Sequence, residues 1–436
     1  MNIYDFAVFI KSKTNLELFF VGGCVRDLLM NKKTEDYDIC SAVLPDQMKK
    51  ICKNKKIKCI STGIKYGTVT IILDNVKYEH TTWRKDVSTL GRSCKIDFTD
   101  NMKEDAKRRD FTINALYKNV VTNEIFDFFG GREHIKRRVL CFVGNAAKRI
   151  EEDYLRIFRF FRFINKFDLD FNKAEFDIVK QKCCGIKILS NERVKTEIFN
   201  MFKDGIKNYD IFTQFIEMTG NFHEITSYFY DLLKTPQNHP YHNRNNVLHH
   251  TLDIINMLNK HKNSDCDYYC VVFHDMFKSN TISIDKKGIT HFYGHDSIFV
   301  EKFKRIMQSF RLSNVCQKKV SFFVCFHLKL SMLLEKIRVE KNITEKEYFN
   351  IIYKMYLHNS QNFIFYLNGL NEIFLFENKH KFNYDFKKEF DFFMTKVDKF
   401  EFISKSIDKK AIAENINDKK DIKSVFEKKL KEKYCG

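Results

Sequence analysis

Residues that interrupt helices are scarce in this chain, and their scarcity limits the folds open to it. Only 3 prolines and 15 glycines occur among 436 residues. Proline lacks the backbone donor that a helix needs, and glycine loses the most conformational entropy on folding. Long helices therefore meet few obstacles here. Pro236 and Pro240, two of the three prolines, lie close together and predict a domain boundary.

The spacing of apolar residues separates a mixed N-terminal part from a helical remainder. Residues 18–21 and 68–73 are short apolar runs typical of strands, with helix signals between them. From about residue 145 onward, apolar residues recur at helical intervals, as over residues 154–164. We predict an α+β fold in which the N-terminal head combines a mixed β-sheet with helices. The predicted domains are a head over 1–137, a helical neck and body over 138–240, a helical domain over 241–380 and a basic helical tail over 381–436.

The charge of the chain favours a polyanionic partner. Its formal net charge is +19, from 75 Lys and Arg against 56 Asp and Glu. Such a surplus suits nucleic acid because phosphate contacts release counterions, although a membrane surface or a generally basic soluble protein fits as well. No apolar run approaches the ~20 residues that a membrane span needs. The N-terminus has no secretory signal pattern. We expect a cytoplasmic protein with no membrane partner, and no obligate protein partner is evident.

The cysteines form no metal-binding or redox spacing pattern. All 13 are scattered, and no CxxC pair occurs among them. This distribution argues against a zinc knuckle and against a thioredoxin-like motif. We expect reduced thiols throughout.

Gly22 and Gly23 follow a predicted strand and open a predicted helix. Glycines at such a turn let backbone N–H groups approach a phosphate closely, and the helix N-terminus adds a favourable dipole. Arg26 would supply a charge-assisted fork to a triphosphate. A plain strand-to-helix turn with an exposed Arg-Asp pair is the alternative interpretation.

Two carboxylates stand shortly after this turn. Asp36 and Asp38 are two residues apart, so on a strand they face the same side. Carboxylates placed in this way can share the divalent metals of two-metal phosphoryl transfer. Lone DxD triplets mostly lie in solvated loops, but the Gly-Gly turn and Arg26 just before this one favour a nucleotide site. Glu79 is a candidate third carboxylate.

Two further polar groups lie at helical spacing. Asp110 and Asn114 would share one helix face, where Asp110 can accept from a ribose hydroxyl while Arg109 binds phosphate. Asp153 and Arg156 are three residues apart on a strongly helical stretch. The alternative for Asp110 and Asn114 is an exposed polar helix face. The alternative for Asp153 and Arg156 is an intrahelical salt bridge.

These segments together resemble the head of class II CCA-adding tRNA nucleotidyltransferases and bacterial poly(A) polymerases. The resemblance covers about residues 18–200 and follows the family order. Its segments are VGGCVRDLL (21–29), EDYDI (35–39), STGIKYGTV (61–69), EHTTWR (79–84), KRRDFTINA (107–115), DFFGG (127–131), RIEEDYLRIFRFFRF (149–163) and NERVKTE (191–197).

The resemblance implies that the protein itself selects the incoming base. Asp153 would accept from the exocyclic amino group of cytosine or adenine, and Arg156 would donate to the ring nitrogen beside it. Uracil or guanine would set a carbonyl oxygen against the carboxylate and lose ~1–3 kcal/mol or more. Arg159 and Arg162 continue the same helix toward the triphosphate or the RNA backbone.

The resemblance also implies the reaction. The 3′-hydroxyl of tRNA attacks the α-phosphate of CTP or ATP, and pyrophosphate leaves. Mg²⁺ held by Asp36 and Asp38 would lower the pKa of the hydroxyl and neutralise developing charge. The expected function is therefore the addition of C, C and A to the tRNA 3′ end without a nucleic-acid template.

Departures from the family pattern leave alternatives open. His134 stands where the family usually has an acidic residue. The loop between Arg84 and Asp97 is slightly short and lacks an Arg-Pro element, and in the family this loop serves the switch from C to A addition. A CC-adding enzyme therefore stays open. So does a poly(A) polymerase, although residues 61–69 resemble the CCA branch.

Most histidines lie in the C-terminal half. His250, His274-Asp275, His295 and His327 lie in or beside predicted helices, and their order resembles an HD domain. Facing histidines and aspartates can bind a divalent metal, so His250, His274 and Asp275 are a candidate metal site. HD domains often hydrolyse phosphoester bonds.

One position weakens the case for an active HD domain. Asn371 stands where such domains usually have a further aspartate ligand, and a neutral amide is a poor replacement. We favour a degenerate HD domain that supports tRNA binding. An HD phosphohydrolase with an inert head is the alternative from another class, and the intact Asp36, Asp38, Asp153 and Arg156 argue against it.

Overall fold

The structure is a computed structural model that describes residues 1–34, 36–90, 93–238, 245–261, 264–340, 343–358, 363–369, 373–375, 384–408, 412 and 419–436. The chain divides into two compact units. The first unit contains Met1–Met201 and Asp210–His223, and the second contains Phe202–Tyr209 and Glu224–Gly436. Outside the described part of the chain lie Glu35, Pro240, Asn371, and residues 91 and 92 of the loop between Arg84 and Asp97.

A mixed β-sheet forms the centre of the first unit, as the sequence predicts. The strands of this unit are β1 Phe19–Val21, β2 Tyr37–Ser41, β3 Lys58–Gly63, β4 Thr68–Leu73, β5 Val76–Thr82, β6 Arg84–Leu90, β7 Ser93–Phe98, β8 Leu116–Asn119, β9 Ile125–Asp127, β10 Val139–Leu140 and β11 Asp170–Phe171. Seven of them form one sheet in the order β3-β4-β5-β2-β1-β8-β9. Strands β2 and β5 pair in parallel, with Asp38 opposite Glu79. Strands β6 and β7 form a separate antiparallel hairpin.

Helices cover this sheet and continue beyond it. They are α1 Ile3–Thr14, α2 Gly23–Leu29, α3 Pro45–Asn54, α4 Met102–Lys107, α5 Gly131–Lys136, α6 Ala146–Glu152, α7 Leu155–Phe167, α8 Lys173–Lys182, α9 Asn191–Lys203 and α10 Tyr209–Thr219. Phe6 and Ile10 of α1 pack with Ile39, Val69 and Ile71 of the sheet in one fully buried cluster. Burial of such apolar side chains is the main stabilising term for this face of the sheet.

The second unit is almost wholly helical. Its helices are α11 Glu224–Lys234, α12 Val247–Leu258, α13 Asp265–His274, α14 His295–Phe310, α15 Asn314–Glu340, α16 Glu345–His358, α17 Phe363–Gly369, α18 Lys387–Ser406 and α19 Lys419–Cys435. A short hairpin joins β12 Ser283–Ile284 to β13 Thr290–His291. The predicted α+β class, with a sheet-containing head followed by helices, is confirmed. Within the described ranges, none of the helices has the length and apolarity that a bilayer crossing requires.

A disulfide joins Cys266 in α13 to Cys316 in α15, so the expectation of reduced thiols throughout is wrong. The two residues are 50 positions apart in sequence, and their Cα atoms lie 5.3 Å apart. This separation is within the usual range for a bridge. No spacing pattern indicates such a pair, because only the packing of α13 on α15 brings the sulfurs together.

Glu175 in α8 should make stability depend on pH. Both of its carboxylate oxygens lie 3.3 Å from the backbone nitrogen of Phe142, and burial raises its pKa from 4.5 to about 7. Between these values the native state holds a proton that the unfolded state has lost, so stability falls as the pH rises through this window. Glu175→Gln should therefore stabilise the protein by about 1–2 kcal/mol at pH 8 and change little at pH 4, after allowance for partial solvent screening.

Urea unfolding at the two pH values measures this difference. Glu133→Gln is the matched control, because Glu133 is an exposed carboxylate in the same unit. An equal effect of Glu175→Gln at pH 4 and pH 8 would contradict the assignment.

Candidate active site

The turn between β1 and α2 needs glycine for two reasons. Gly22 has φ +71° and ψ −121°, a backbone conformation that residues with a Cβ atom rarely adopt. A Cβ atom at this position would also lie 3.2 Å from a guanidinium nitrogen of Arg109. The turn therefore brings the backbone close to a cationic side chain, and α2 begins directly afterwards at Gly23.

Acidic side chains gather at the start of β2. Asp38 lies in β2 and faces Glu79 across the parallel pair, while Asp36 lies one residue before the strand. The prediction that Asp36 and Asp38 share one strand is therefore wrong by one residue, because β2 begins at Tyr37. Asp36 and Asp38 both keep solvent access.

The pKa of Asp38 reflects both its burial and the negative charges around it. Desolvation raises it from 3.8 to about 6, and the negative charges of Glu79 and Asp36 add to the increase. Arg109 and Arg26 offset part of it. The local excess of negative charge is the electrostatic condition that suits a divalent cation.

A hydrogen-bonded chain connects the glycine turn to α7. Arg26 donates to the amide oxygen of Asn114 at 2.7 Å, and Asn114 donates to Asp110 at 3.0 Å. Arg159 donates to the other carboxylate oxygen of Asp110 at 2.7 Å. Burial acts to raise the pKa of Asp110, but the charge of Arg159 and these hydrogen bonds outweigh it and lower that pKa to about 2.

The backbone around Asp110 differs from the predicted helix. Residues Thr112–Asn114 form a single 3₁₀ turn, and α4 ends earlier, at Lys107. The backbone pairs with a distant segment instead: the N–H of Thr112 donates to the carbonyl of Cys141, and the N–H of Val143 donates to the carbonyl of Asp110, both at 3.0 Å. The Asp110 carboxylate also accepts from the backbone N–H of Phe111 at 2.8 Å. Such side-chain contacts compete with helical hydrogen bonds. Asp110 and Asn114 nevertheless come together as predicted.

Arg109 is anchored beside the same turn. It donates to the hydroxyl of Tyr117 at 3.1 Å and pairs with Asp105 at 3.2 Å. A further donor nitrogen lies 3.4 Å from the carbonyl oxygen of Asn114. These contacts hold the guanidinium at Gly22, where its charge also lowers the pKa of Asp38.

Three guanidinium groups surround the ring of Phe163. The central carbons of Arg26, Arg159 and Arg162 lie 5.3, 5.2 and 5.0 Å from its centroid. Arg162 also pairs with Glu197 at 2.6 Å, and Arg159 lies 3.8 Å from the same carboxylate. Arg26 pairs with Asp27 and Arg159 with Asp110, so each of the three guanidiniums has a carboxylate partner. The aromatic face and these carboxylates allow the three cations to lie close together.

Asp153 lies at a break between two helices rather than within one helix. It caps the end of α6 with extended backbone angles, φ −156° and ψ 103°, and α7 begins at Leu155. One carboxylate oxygen accepts from the backbone of Leu155 at 3.1 Å, and the other pairs with Arg193 at 2.8 Å. The predicted continuous helix through Asp153 and Arg156 is therefore wrong.

Arg156 is held by other groups than Asp153. Its guanidinium donates to the carbonyl oxygens of Arg149 at 2.6 Å and Arg108 at 2.8 Å, and to the Glu152 carboxylate at 2.9 Å. The side chain is buried. Sequence spacing did not identify Arg193 as the partner of Asp153, because the two residues lie 40 positions apart.

Asp153 also borders a small cavity of about 170 Å³. The cavity is lined by Glu151, Glu152, Asp153, Tyr154, Ile188, Leu189, Ser190 and Arg193. Its lining includes three carboxylates and one guanidinium, that of Arg193.

The second unit brings together five buried side chains that we call the histidine cluster: His250, His274, Asp275, His295 and His327. The three predicted residues meet, with the Nε2 atoms of His250 and His274 at 3.7 and 3.1 Å from one oxygen of Asp275. Nε2 of His295 lies 3.6 Å from the other oxygen. His327 completes a second group with Asp275 and His295, in which all ligand atoms lie within 4.8 Å of one another.

Backbone carbonyls orient three of these rings. The Nδ1 atoms of His274, His295 and His327 hydrogen-bond to the carbonyls three residues earlier, at 2.6, 2.8 and 2.8 Å. This arrangement directs each Nε2 toward Asp275. Sequence reasoning missed Lys278, whose ammonium lies 2.7 Å from Asp275. The i,i+3 spacing of the two residues was the available signal.

Comparison with known proteins shows what the N-terminal part of the chain is similar to. Residues 18–141 match the family described as the poly A polymerase head domain. The chain is 37% identical over 196 residues to the mitochondrial CCA tRNA nucleotidyltransferase 1 of Danio rerio, covering 44% of this chain and 45% of that protein. It is 37% identical over 191 residues to a CCA-adding enzyme of Lactobacillus delbrueckii subsp. bulgaricus, covering 43% and 47%. The match spans just under half the length of these relatives.

Solved structures show a similar fold over the whole chain. The Bacillus stearothermophilus CCA-adding enzyme in complex with CTP has a TM-score of 0.63 and 18% identity, and the match covers 100% of this chain and 93% of that one. A CCA-adding enzyme with ATP has a TM-score of 0.64 and 19% identity, covering 100% and 91%. At such identities the likeness shows the fold alone. Residues 18–141 are thus similar to poly A polymerase head domains, and the N-terminal part of the chain is similar in sequence to the corresponding part of CCA-adding enzymes.

Proposed function

We propose that this protein adds C, C and A to the 3′ end of tRNA from CTP and ATP without a nucleic-acid template. The observation that carries the proposal is the convergence of Asp36, Asp38 and Glu79 beside Gly22 and Arg109, in a part of the chain similar to poly A polymerase head domains. Carboxylates beside a phosphate-binding turn and a guanidinium are what nucleotidyl transfer needs.

The acidic group fits a divalent ion, and we propose Mg²⁺. Asp36 and Asp38 would hold it, with Glu79 close by, and their unneutralised charge is the structural support for this assignment. The bound ion would lower the pKa of the attacking hydroxyl and offset charge at the α-phosphate. Oxygen ligands are those that Mg²⁺ prefers.

The cationic side chains would bind the triphosphate. Arg109 is positioned at the glycine turn, and Arg26, Arg159 and Arg162 surround Phe163. Asp110 orients Arg159 directly and Arg26 through Asn114. Its low pKa keeps Asp110 ionised at neutral pH. Fixed cations in a partly dry site stabilise a leaving pyrophosphate more than mobile ones in water.

We propose that Asp153 and Arg156 read the base. Asp153 borders the 170 Å³ cavity and has a carboxylate fixed by Arg193 and Leu155. Arg193 would then be a positioning residue, because its ion pair at 2.8 Å fixes the orientation of the Asp153 carboxylate. Arg156 is held rigidly by two carbonyls, which limits the positions at which it can donate.

Product length tests the proposed function. Transfer RNA that ends before CCA, and tRNA that ends in CC, are each incubated with CTP, ATP or both. The first substrate should gain three nucleotides with both triphosphates and two with CTP alone, and the second should gain one with ATP alone. Addition of cytidines only would identify a CC-adding enzyme, and long adenosine tails would identify a poly(A) polymerase.

The histidine cluster favours a second candidate function, metal-dependent phosphoester hydrolysis in the second unit. Nε2 of His295 and of His327 are buried and have no hydrogen-bond partner within the described ranges. Asp275 belongs to both groups of candidate ligands. Imidazole nitrogens with a carboxylate suit Mn²⁺, Fe²⁺, Ni²⁺ or Zn²⁺, and backbone contacts at Nδ1 are typical of metal-binding histidines.

Calorimetric titration with Ni²⁺ tests whether the cluster binds metal. We expect binding that His295→Ala weakens at least ~10-fold, because one of its nitrogen ligands is lost. His261→Ala is the control, since His261 is exposed and lies outside the cluster. Absence of binding to EDTA-treated wild-type protein would refute the site. Hydrolysis of bis(p-nitrophenyl) phosphate that disappears in His295→Ala would support the second activity.

A further inference from the structure

Lys278 lies against the histidine cluster in the second unit. It begins a short 3₁₀ turn, Lys278–Asn280, and its backbone N–H donates to the carbonyl oxygen of Asp275 at 3.1 Å. The turn brings the side chain of Lys278 back to Asp275, whose carboxylate lies 2.7 Å from the ammonium. The ring of Phe292 lies beside the ammonium, with its centroid at 5.1 Å. Lys278 is 6% exposed, so this cation is held in the interior.

The ammonium shares one carboxylate oxygen with two imidazoles. Oδ2 of Asp275 is the atom that Lys278 contacts, and the Nε2 atoms of His250 and His274 lie 3.7 and 3.1 Å from the same oxygen. His295 faces the other oxygen, Oδ1, at 3.6 Å. The ammonium therefore lies at the oxygen that completes the group of candidate ligands containing His250 and His274.

The Asp275 carboxylate needs a positive partner. Asp275 is 1% exposed, and a lone charge in such a place is unfavourable unless it is paired or coordinates a metal. The ammonium of Lys278 supplies that partner without any ion. The ion pair thus allows the second unit to keep Asp275 ionised when no metal is bound.

A divalent ion at this oxygen would meet the same ammonium. Bonds between such ions and carboxylate oxygens are about 2 Å long, so an ion bonded to Oδ2 would lie within about 5 Å of Nζ of Lys278. Positive charges this close repel strongly in a dry interior. Binding must therefore either overcome this repulsion or displace the ammonium, and both weaken it.

We propose that Lys278 is an internal counter-cation that competes with metal for Asp275. Its ammonium neutralises the carboxylate when no metal is bound, and it leaves Oδ2 when a divalent ion binds. The histidine cluster then takes up metal at a higher concentration than its ligands alone would require. The proposal rests on the metal site of the second candidate function.

Calorimetric titration of the full chain with Ni²⁺ tests the proposal. Wild type, Lys278→Met and Lys286→Met are treated with EDTA, freed of the chelator and titrated at pH 7.5. Methionine keeps most of the length of lysine without its charge, so Lys278→Met should bind Ni²⁺ at least ~10-fold more tightly than the wild type. Lys286→Met removes the same charge from an exposed position in the same unit and should bind as the wild type does.

Thermal unfolding gives a second measurement. In EDTA, Lys278→Met should unfold at a lower temperature than the wild type, because Asp275 loses its partner. Ni²⁺ should raise the unfolding temperature of Lys278→Met more than that of the wild type. If methionine prevents folding, Lys278→Gln is titrated instead, since its amide can still donate to Asp275, and it should bind Ni²⁺ at least ~3-fold more tightly.

The outcomes separate the role of Lys278 from the existence of the site. Binding to Lys278→Met that is no tighter than binding to the wild type overturns the role of Lys278 and leaves the cluster as a metal site. Absence of binding to both proteins removes the metal site itself, and the proposal with it.

Discussion

Asp38→Asn is expected to reduce nucleotide addition by about 10³-fold or more while leaving the fold intact. Asparagine keeps the size of the side chain but removes the charge that would hold a divalent ion, and such an ion contributes several kcal/mol to phosphoryl transfer. Asp38 is solvent-accessible and its carboxylate is repelled by Glu79 and Asp36, so removal of the charge should not destabilise the head. Single-turnover extension of tRNA that ends in CC, with ATP, measures the effect.

Asp100→Asn is the matched control, because Asp100 is an exposed carboxylate in the same unit. It should extend tRNA at the wild-type rate. Circular dichroism and the urea midpoint of Asp38→Asn should equal those of the wild type. Retention of more than a tenth of the wild-type rate in Asp38→Asn would show that Asp38 does not hold an essential ion.

Gly185→Ala is expected to reduce stability by about 3 kcal/mol, through a clash rather than through backbone strain. A Cβ atom at Gly185 would lie 1.9 Å from Cε1 of Tyr154 and 2.3 Å from two further ring atoms. The rigid aromatic ring cannot move aside by rotating a terminal bond, as the end of a flexible side chain could. Because Tyr154 directly follows Asp153, displacement of the ring should also reduce nucleotide addition.

Two comparisons isolate the cause. In a Tyr154→Ala background the added methyl group has room, so Gly185→Ala should cost less than about 1 kcal/mol there. Gly144→Ala adds a methyl group with no atom within 4 Å but with φ at +69°, so it measures backbone strain alone, about 1 kcal/mol. Urea unfolding of the wild type, the three single variants and the double variant gives these values. Equal losses for Gly185→Ala in both backgrounds would contradict the packing explanation.

The spacing of residues in the sequence predicted which side chains meet more accurately than it predicted the backbone conformation between them. The i,i+4 spacing of Asp110 and Asn114 correctly indicated that they meet, but a 3₁₀ turn rather than an α-helix brings them together. Backbone hydrogen bonds from this stretch to Cys141 and Val143 replace helical ones. Periodicity cannot detect such a bond, since it records only which residues are apolar.

The helix break at Asp153 has a similar explanation. Apolar spacing is continuous through this region, and neither proline nor glycine marks the break. The extended conformation is held instead by Arg193, which lies in α9, and by the backbone of Leu155. A partner 40 residues away carries no signal in the local sequence.

Sequence alone determined the α+β class, and it predicted that Asp110 and Asn114 meet and that His250, His274 and Asp275 lie together. These properties depend on side-chain periodicity and on short motifs whose residues lie close together in the sequence. Tertiary structure alone decided the placement of Glu79 opposite Asp38, the partner of Asp153, the five-membered histidine cluster and the Cys266–Cys316 bridge. Each of these depends on contact between elements distant in the chain, and such contacts are set by packing, which leaves no pattern along the sequence.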